Sequence, residues 1–207
     1  FITNSKGDTT NTEEYEFYGI NAGILVTKAS TATIKNINIT TSAKGSNAVF
    51  STGEDSKITI SDSTITTTGS SSSRGLDATY GGEIIANNIN IKTSGASSAT
   101  LATDRGEEYV TVTDSKLETN GKGSPLIYST GLISVTNTKG VANNSQSEWG
   151  NNGSNGGVVT LNTKNQKLKG NVLVDSLSTL TLNLEDFTYE GAINNGKAIN
   201  ERKTLLN

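Results

Sequence analysis

The chain has 207 residues, of which 32% are hydrophobic and 5% aromatic, so a broad two-layer globular core is hard to build from it. Its 17 basic and 20 acidic residues leave a net charge of −3 and run along the chain without a basic stripe, which argues against nucleic acid as a partner. With no cysteine and no histidine, the sequence excludes disulfides, thiolate and imidazole metal sites and Ser–His or Cys–His nucleophile pairs, and its longest apolar run falls far short of a membrane span. A disordered chain is the competing reading of such a polar sequence. It is opposed by the single proline and by apolar residues that are β-branched and recur in order.

Four segments, beginning at Ala32, Ile58, Ile84 and Val110, superimpose at a spacing of 26 residues, and a fifth begins 23 residues later at Ile133. Ala32, Ile58, Ile84, Val110 and Ile133 form one apolar column, and Ile34, Ile60, Ala86, Val112 and Val135 form the next. Ile39, Ile65, Ile91 and Leu117 form a third. Side chains alternate faces along a strand, so columns two residues apart point inward together. A lone coil cannot bury its apolar face, whereas a stack can. A threonine column, Thr41, Thr67, Thr93 and Thr119, lies two positions beyond the third and is expected to face in.

Between the two strand segments of each coil stands an Asx column: Asn36, Asp62, Asn88, Asp114 and Asn137. Asn and Asp tolerate left-handed backbone and bond their neighbours at a bend. Stacked amides can also bond from coil to coil. A row of carboxylates for metal is the alternative, and the alternation with Asn speaks for the structural role. A second, less regular strand precedes each repeat, around Val49, Leu76, Leu101 and Ile127. No segment shows helical periodicity.

The predicted organisation is one domain over residues 1–207, all-β, a right-handed parallel β-helix of about eight coils. Residues 19–142 hold the regular coils, 143–157 form an irregular Gly/Asn-rich loop, and 158–207 hold shorter coils, where Leu168 to Val172 matches Tyr189 to Ile193 at a spacing of 21. The first residue, Phe1, and the strand-like end at Lys203 to Asn207 read as those of a portion of a longer polypeptide.

Alternating Ile/Val/Thr strands, the Asx column and the Gly-rich loops resemble pectate-lyase-like right-handed parallel β-helix proteins. The runs from Asn47 to Gly53, Ser73 to Gly82 and Leu101 to Glu107 look like those of adhesin-like or carbohydrate-binding surface proteins of anaerobic bacteria and archaea. The likeness covers residues 19 to 142 well and the rest loosely. It implies the fold, an extracellular or cell-surface location, and a polysaccharide or cell-surface glycan as partner. It fixes no activity, because this fold hosts lyases, hydrolases, adhesins and stalks alike.

The best catalytic cluster for a lyase or hydrolase is Asp77, Asp104, Arg105 and Glu107, which fall just after the second strand on consecutive coils. Asp77 aligns by eye with Ser51 and Thr103 rather than with a third acid, so a solvated loop with Arg–carboxylate pairs is the structural alternative. Asp104, Glu107 and Glu108 are the candidate ligands of a structural calcium, the one cofactor the sequence suggests. Tyr80, Tyr109, Tyr128 and Trp149 are the candidate sugar-stacking residues, against the alternative that Tyr109 and Tyr128 are partly core and Trp149 caps a loop. Charges interrupt the outward threonine rows that an ice-binding face would need. The resulting expectation is a non-catalytic adhesin or stalk that binds polysaccharide and self-associates through strand edges, with a polysaccharide lyase or glycoside hydrolase as the alternative.

Overall fold

The structure, a computed structural model, describes residues 1–143, 158–164, 167–169, 172, 174, 178–193 and 203–206. After β1 (Ile2–Asn4) and a short helix α1 (Thr12–Phe17), each coil adds one strand to a smaller sheet and one long or two short strands to a larger one. The first coil is β2 (Ile24–Val26), β3 (Thr31–Lys35) and β4 (Asn38–Thr41); the second is β5 (Val49–Thr52) and β6 (Lys57–Thr67). The third is β7 (Leu76–Thr79) and β8 (Glu83–Thr93); the fourth is β9 (Leu101–Asp104), β10 (Tyr109–Thr113) and β11 (Lys116–Thr119). The fifth is β12 (Ile127–Ser129), β13 (Leu132–Thr136) and β14 (Lys139–Ala142). The larger sheet continues through β15 (Val158–Lys164), β16 (Lys167–Lys169), β17 (Thr179–Glu185), β18 (Thr188–Glu190) and β19 (Lys203–Leu206). All described pairings are parallel, and the fold is a parallel β-helix.

The register reproduces the sequence columns. Ile34, Ile60, Ala86, Val112, Val135, Leu161, Leu182 and Leu206 stand in line, as do Ile39, Ile65, Ile91 and Leu117. The fifth coil is shortened by three residues, since Val110 meets Ile133, and Leu168 meets Tyr189 at the spacing of 21. Ile58, Ile60, Ile65, Ile84 and Ile91 are fully buried. Each such side chain contributes roughly 1.5–3 kcal/mol of transfer free energy. A smaller cluster of Val174, Leu180 and Leu182 carries the core onward.

The threonine column faces in, and its hydroxyls have one job. Thr41, Thr67, Thr93 and Thr119 each donate to the carbonyl oxygen of Ser46, Ser73, Ser98 or Ser124, at 2.6–2.7 Å. They thereby satisfy backbone that the turn would leave unpaired. The turns stack closely. A Cβ on Gly95 would collide with the Gly69 carbonyl oxygen, and one on Gly121 with that of Gly95.

The Asx column holds left-handed backbone at every level, with φ between 49° and 56° for Asn36, Asp62, Asn88, Asp114 and Asn137. Asn88 donates to Asp62 at 2.7 Å, and Asn137 donates to Asp114. The bend also strands the next backbone N–H. In three coils it finds a hydroxyl one coil on: Ile37 N–H donates to Ser63 Oγ, Ile89 to Ser115 and Ser115 to Thr138.

The helix corrects the expectation of no helical segment. Its six residues are too few to show a period, but they carry a start signal, with the Asn11 side chain accepting from Glu13 N–H and Glu13 and Glu14 in the first turn. Of the loop expected over 143–157, only Asn143 lies within the described residues.

Candidate functional site

The smaller sheet positions the acid cluster. Its inward positions, Val49, Leu76 and Leu101, join the core. Its outward column is Leu25, Phe50, Asp77, Ala102 and Tyr128. This corrects the alignment by eye of Asp77 with Ser51 and Thr103, which pair with Ala78 instead. The cause is a spacing of 27 residues from Val49 to Leu76 and then 25 from Leu76 to Leu101. The serine-rich turn before β7 carries the additional residue, and Ser71 and Ser72 there take positive φ. A slip of one residue flips a side chain to the other face, and Asp77 is therefore outward.

Outward does not mean exposed, because the N-terminal segment lies over this face. Phe17 anchors it, its carbonyl oxygen accepting from Thr79 Oγ1 at 2.7 Å and from Thr52 Oγ1 at 3.5 Å. Tyr15 is buried against Gly45, and Phe50 fits against Gly19. Ser72 Oγ donates to Glu16 Oε1 at 3.0 Å.

Beneath this strap, Arg74 links the two expected acids. Its Nη1 lies 2.7 Å from Asp77 Oδ2 and its Nη2 3.6 Å from Asp104 Oδ2, and its guanidinium sits 5.5 Å from the Tyr128 ring centre. Asp77 is 0% exposed and Arg74 8%, so the pair is buried, not the solvated loop pair of the structural alternative. Burial pushes Asp77 up to about 6 against the pull of Arg74. Burial likewise raises Asp104, with Arg74 and Arg105 opposing it. For Arg74, burial works downward, but Asp77 and Asp104 outweigh it and hold the guanidinium above its ordinary value. Asp77 Oδ1 has no hydrogen-bond partner.

Arg105 and Glu107 stand apart from that pair. Arg105 is exposed, 3.9 Å from the Phe17 ring centre and 3.9 Å from Glu13, and Glu107 is exposed as well. Glu108 is the fully buried member of its run. It accepts from Thr130 Oγ1 at 3.2 Å beside Gly131, and burial pushes it up to about 7. Asp104 is half-buried, Glu107 exposed and Glu108 buried, and among the described residues no three Asp or Glu side chains are grouped to hold a metal.

The candidate tyrosines separate. Tyr80 stacks on Tyr18 with ring centres 5.3 Å apart and donates to Glu13 Oε1 at 2.8 Å. Burial, then the bond to Glu13, raises its pKa. Tyr128 lies half-buried in the acid cluster. Tyr109 is 46% exposed on the larger sheet, in line with Glu83 and Leu132. Trp149 lies outside the described residues. Sequence reading missed Glu13, Phe17 and Tyr18, which α1 and its C-cap bring to Tyr80 and Arg105; Asn11 followed by Glu13 and Glu14 is the signal that could have found that segment.

No family model matches the chain, and no curated protein or solved structure matches it.

Proposed function

We propose that this solenoid is a non-catalytic structural or adhesive element of an extracellular or cell-surface protein, and that it binds polysaccharide at Tyr18, Tyr80, Glu13 and Arg105. The reading rests on the burial of the acids: Asp77 and Glu108 are both 0% exposed. A general acid or base must reach the proton it transfers, and these carboxyls lie beneath the strap or inside the coil. The accessible chemistry beside them is an aromatic face flanked by a carboxylate and a guanidinium. Tyr18 is 46% exposed, and an amphipathic ring edged by such groups suits the apolar face and hydroxyls of a sugar. The sequence resemblance to adhesin-like surface proteins agrees with it.

A polysaccharide lyase or hydrolase is the second reading, favoured by the raised pKa of Asp77 and by the guanidinium shared with Asp104. A glycan array paired with reducing-end and unsaturated-product assays separates the two. The expected result is binding without turnover, weakened about tenfold by Tyr18→Ala. Turnover that Asp104→Asn abolishes would overturn it.

A further inference from the structure

One face of the larger sheet carries a lysine row that the linear sequence hides. Lys116 on β11 lies directly opposite Lys139 on β14. Lys167 begins β16, one residue before the Gly140–Leu168 pair, and so takes the same register position on the next coil. The steps along the chain are 23 and then 28 residues, so no fixed period reveals the row. The same column is neutral on either side: Asn38, Thr64 and Asn90 before it, Thr188 after it. The expectation of no basic stripe is corrected on this face.

Like charges directly opposite on neighbouring strands, about 4.8 Å apart, repel. On the larger-sheet strands of the first three coils, lysines are neutralised from coil to coil. Lys57 pairs with Glu83 at 3.0 Å, Lys92 with Glu118 at 3.0 Å and Lys35 with Asp62 at 3.5 Å. Lys116 and Lys139 break that rule. Both are exposed, neither pairs with a carboxylate among the described residues, and Glu118, the acid nearest along β11, is held by Lys92.

We propose that this row binds a linear anionic polysaccharide, carboxylated or sulfated, lying along the solenoid axis so that successive anionic groups meet successive lysines. Two exposed, uncompensated cations at strand spacing, with a third lysine at the next register position, suit a repeating polyanion better than a single anion. The outward neighbours on this face, Thr64, Thr66 and Asn90, offer hydroxyls and an amide to sugar hydroxyls. No arginine or aromatic residue takes an outward position on β4, β11, β14 or the second halves of β6 and β8, so nothing there stacks a base. The site lies on the larger sheet, away from the tyrosine patch, and stands or falls without it.

The test is binding of the chain to polygalacturonate, dextran sulfate, neutral dextran and duplex DNA at low and at physiological salt, with a Lys116→Gln/Lys139→Gln double variant and a Lys57→Gln control. The expected result is binding of polygalacturonate, dextran sulfate or both, weakened by salt and reduced about tenfold in the double variant but not in Lys57→Gln. Whichever polymer binds names the anionic group. Circular dichroism should show the double variant folded, since both side chains are exposed. Three results would overturn the proposal: neither charged glycan bound at low salt, equal binding by the double variant, or duplex DNA bound as tightly as the glycans.

Discussion

Asn88 donates from Nδ2 to the Asp62 carboxylate at 2.7 Å, one coil away, while the two residues hold left-handed backbone at φ 50° and 51°. One residue type thus does two things at the bend. It accepts a conformation that costs other L-residues roughly 1–2 kcal/mol, and its side chain ties neighbouring coils. Alternation of Asn and Asp sets a donor beside an acceptor in the pairs Asn88–Asp62 and Asn137–Asp114.

A substitution pair at Asn88 separates those roles. Asn88→Gly keeps the backbone free to adopt positive φ and loses only the side-chain bond, so it should cost about 1 kcal/mol. Asn88→Val loses both and should cost about 2–3 kcal/mol. Urea denaturation measures the difference, and equal losses would mean that the left-handed backbone contributes nothing.

The glycines of the turns divide in the same way. Gly95 sits against the Gly69 carbonyl, whereas Gly123 has positive φ (64°) and open space around the position of a Cβ. Gly95→Ala should cost several kcal/mol, because backbone of two stacked turns has to move. Gly123→Ala should cost about 1 kcal/mol, the conformational penalty alone. Thermal melts followed by circular dichroism rank the two.

The interior register predicts a contrast between neighbours. Ile65 is fully buried and Thr66 faces outward. Ile65→Asn places an unsatisfied amide in the stack and should destabilise by several kcal/mol, while Thr66→Asn should stay within about 0.5 kcal/mol. Comparable losses would contradict the register.

Burial of acids sets the pH dependence. Asp77 is pushed up from its ordinary 3.8 to about 6, and Glu108 from 4.5 to about 7. A carboxyl with a raised folded pKa binds its proton more tightly in the folded chain. Its contribution is therefore fully present below about pH 4 and is lost as pH rises through about 6 for Asp77 and about 7 for Glu108. For Asp77 this is on the order of 3 kcal/mol as an upper bound. Asp8, Asp62 and Glu118, whose pKa values are lowered by hydrogen bonds, act in the opposite sense, but they sit at the surface where solvent weakens the effect. The Tm should be higher at pH 5 than at pH 8, and Asp77→Asn should shrink the gap. A Tm that rises from pH 5 to pH 8 would contradict the burial of these groups.

The columns at Ile34, Asn36, Ile39 and Thr41 were legible because each obeys a fixed step and a strict alternation of faces. The candidate site was legible only in part. Asp77 and Asp104 were found as types, but their geometry turns on one additional residue in the Ser70 to Ser73 turn, and a polar run carries no mark of where an insertion sits. Helix α1 is shorter than two full turns, so its apolar spacing never repeats. Lys116, Lys139 and Lys167 align only after the shortened fifth coil and the two additional residues between Asn162 and Lys167 are taken into account. Regular repetition writes the fold into the sequence. Irregular turns write the surface, and their lengths show only in three dimensions.

The coil-on-coil register is the claim from which the buried acids, the bend column and the lysine row all follow. Because the chain has no cysteine, paired substitutions test it without background. Thr64 lies directly opposite Asn90, whereas Lys92 is two residues further along the same strand face. Oxidised Thr64→Cys/Asn90→Cys should form an intramolecular disulfide, since adjacent strands place Cα atoms about 5 Å apart. Thr64→Cys/Lys92→Cys, separated by more than about 7 Å, should not. Efficient cross-linking of the second pair, or none of the first, would contradict the stacked register.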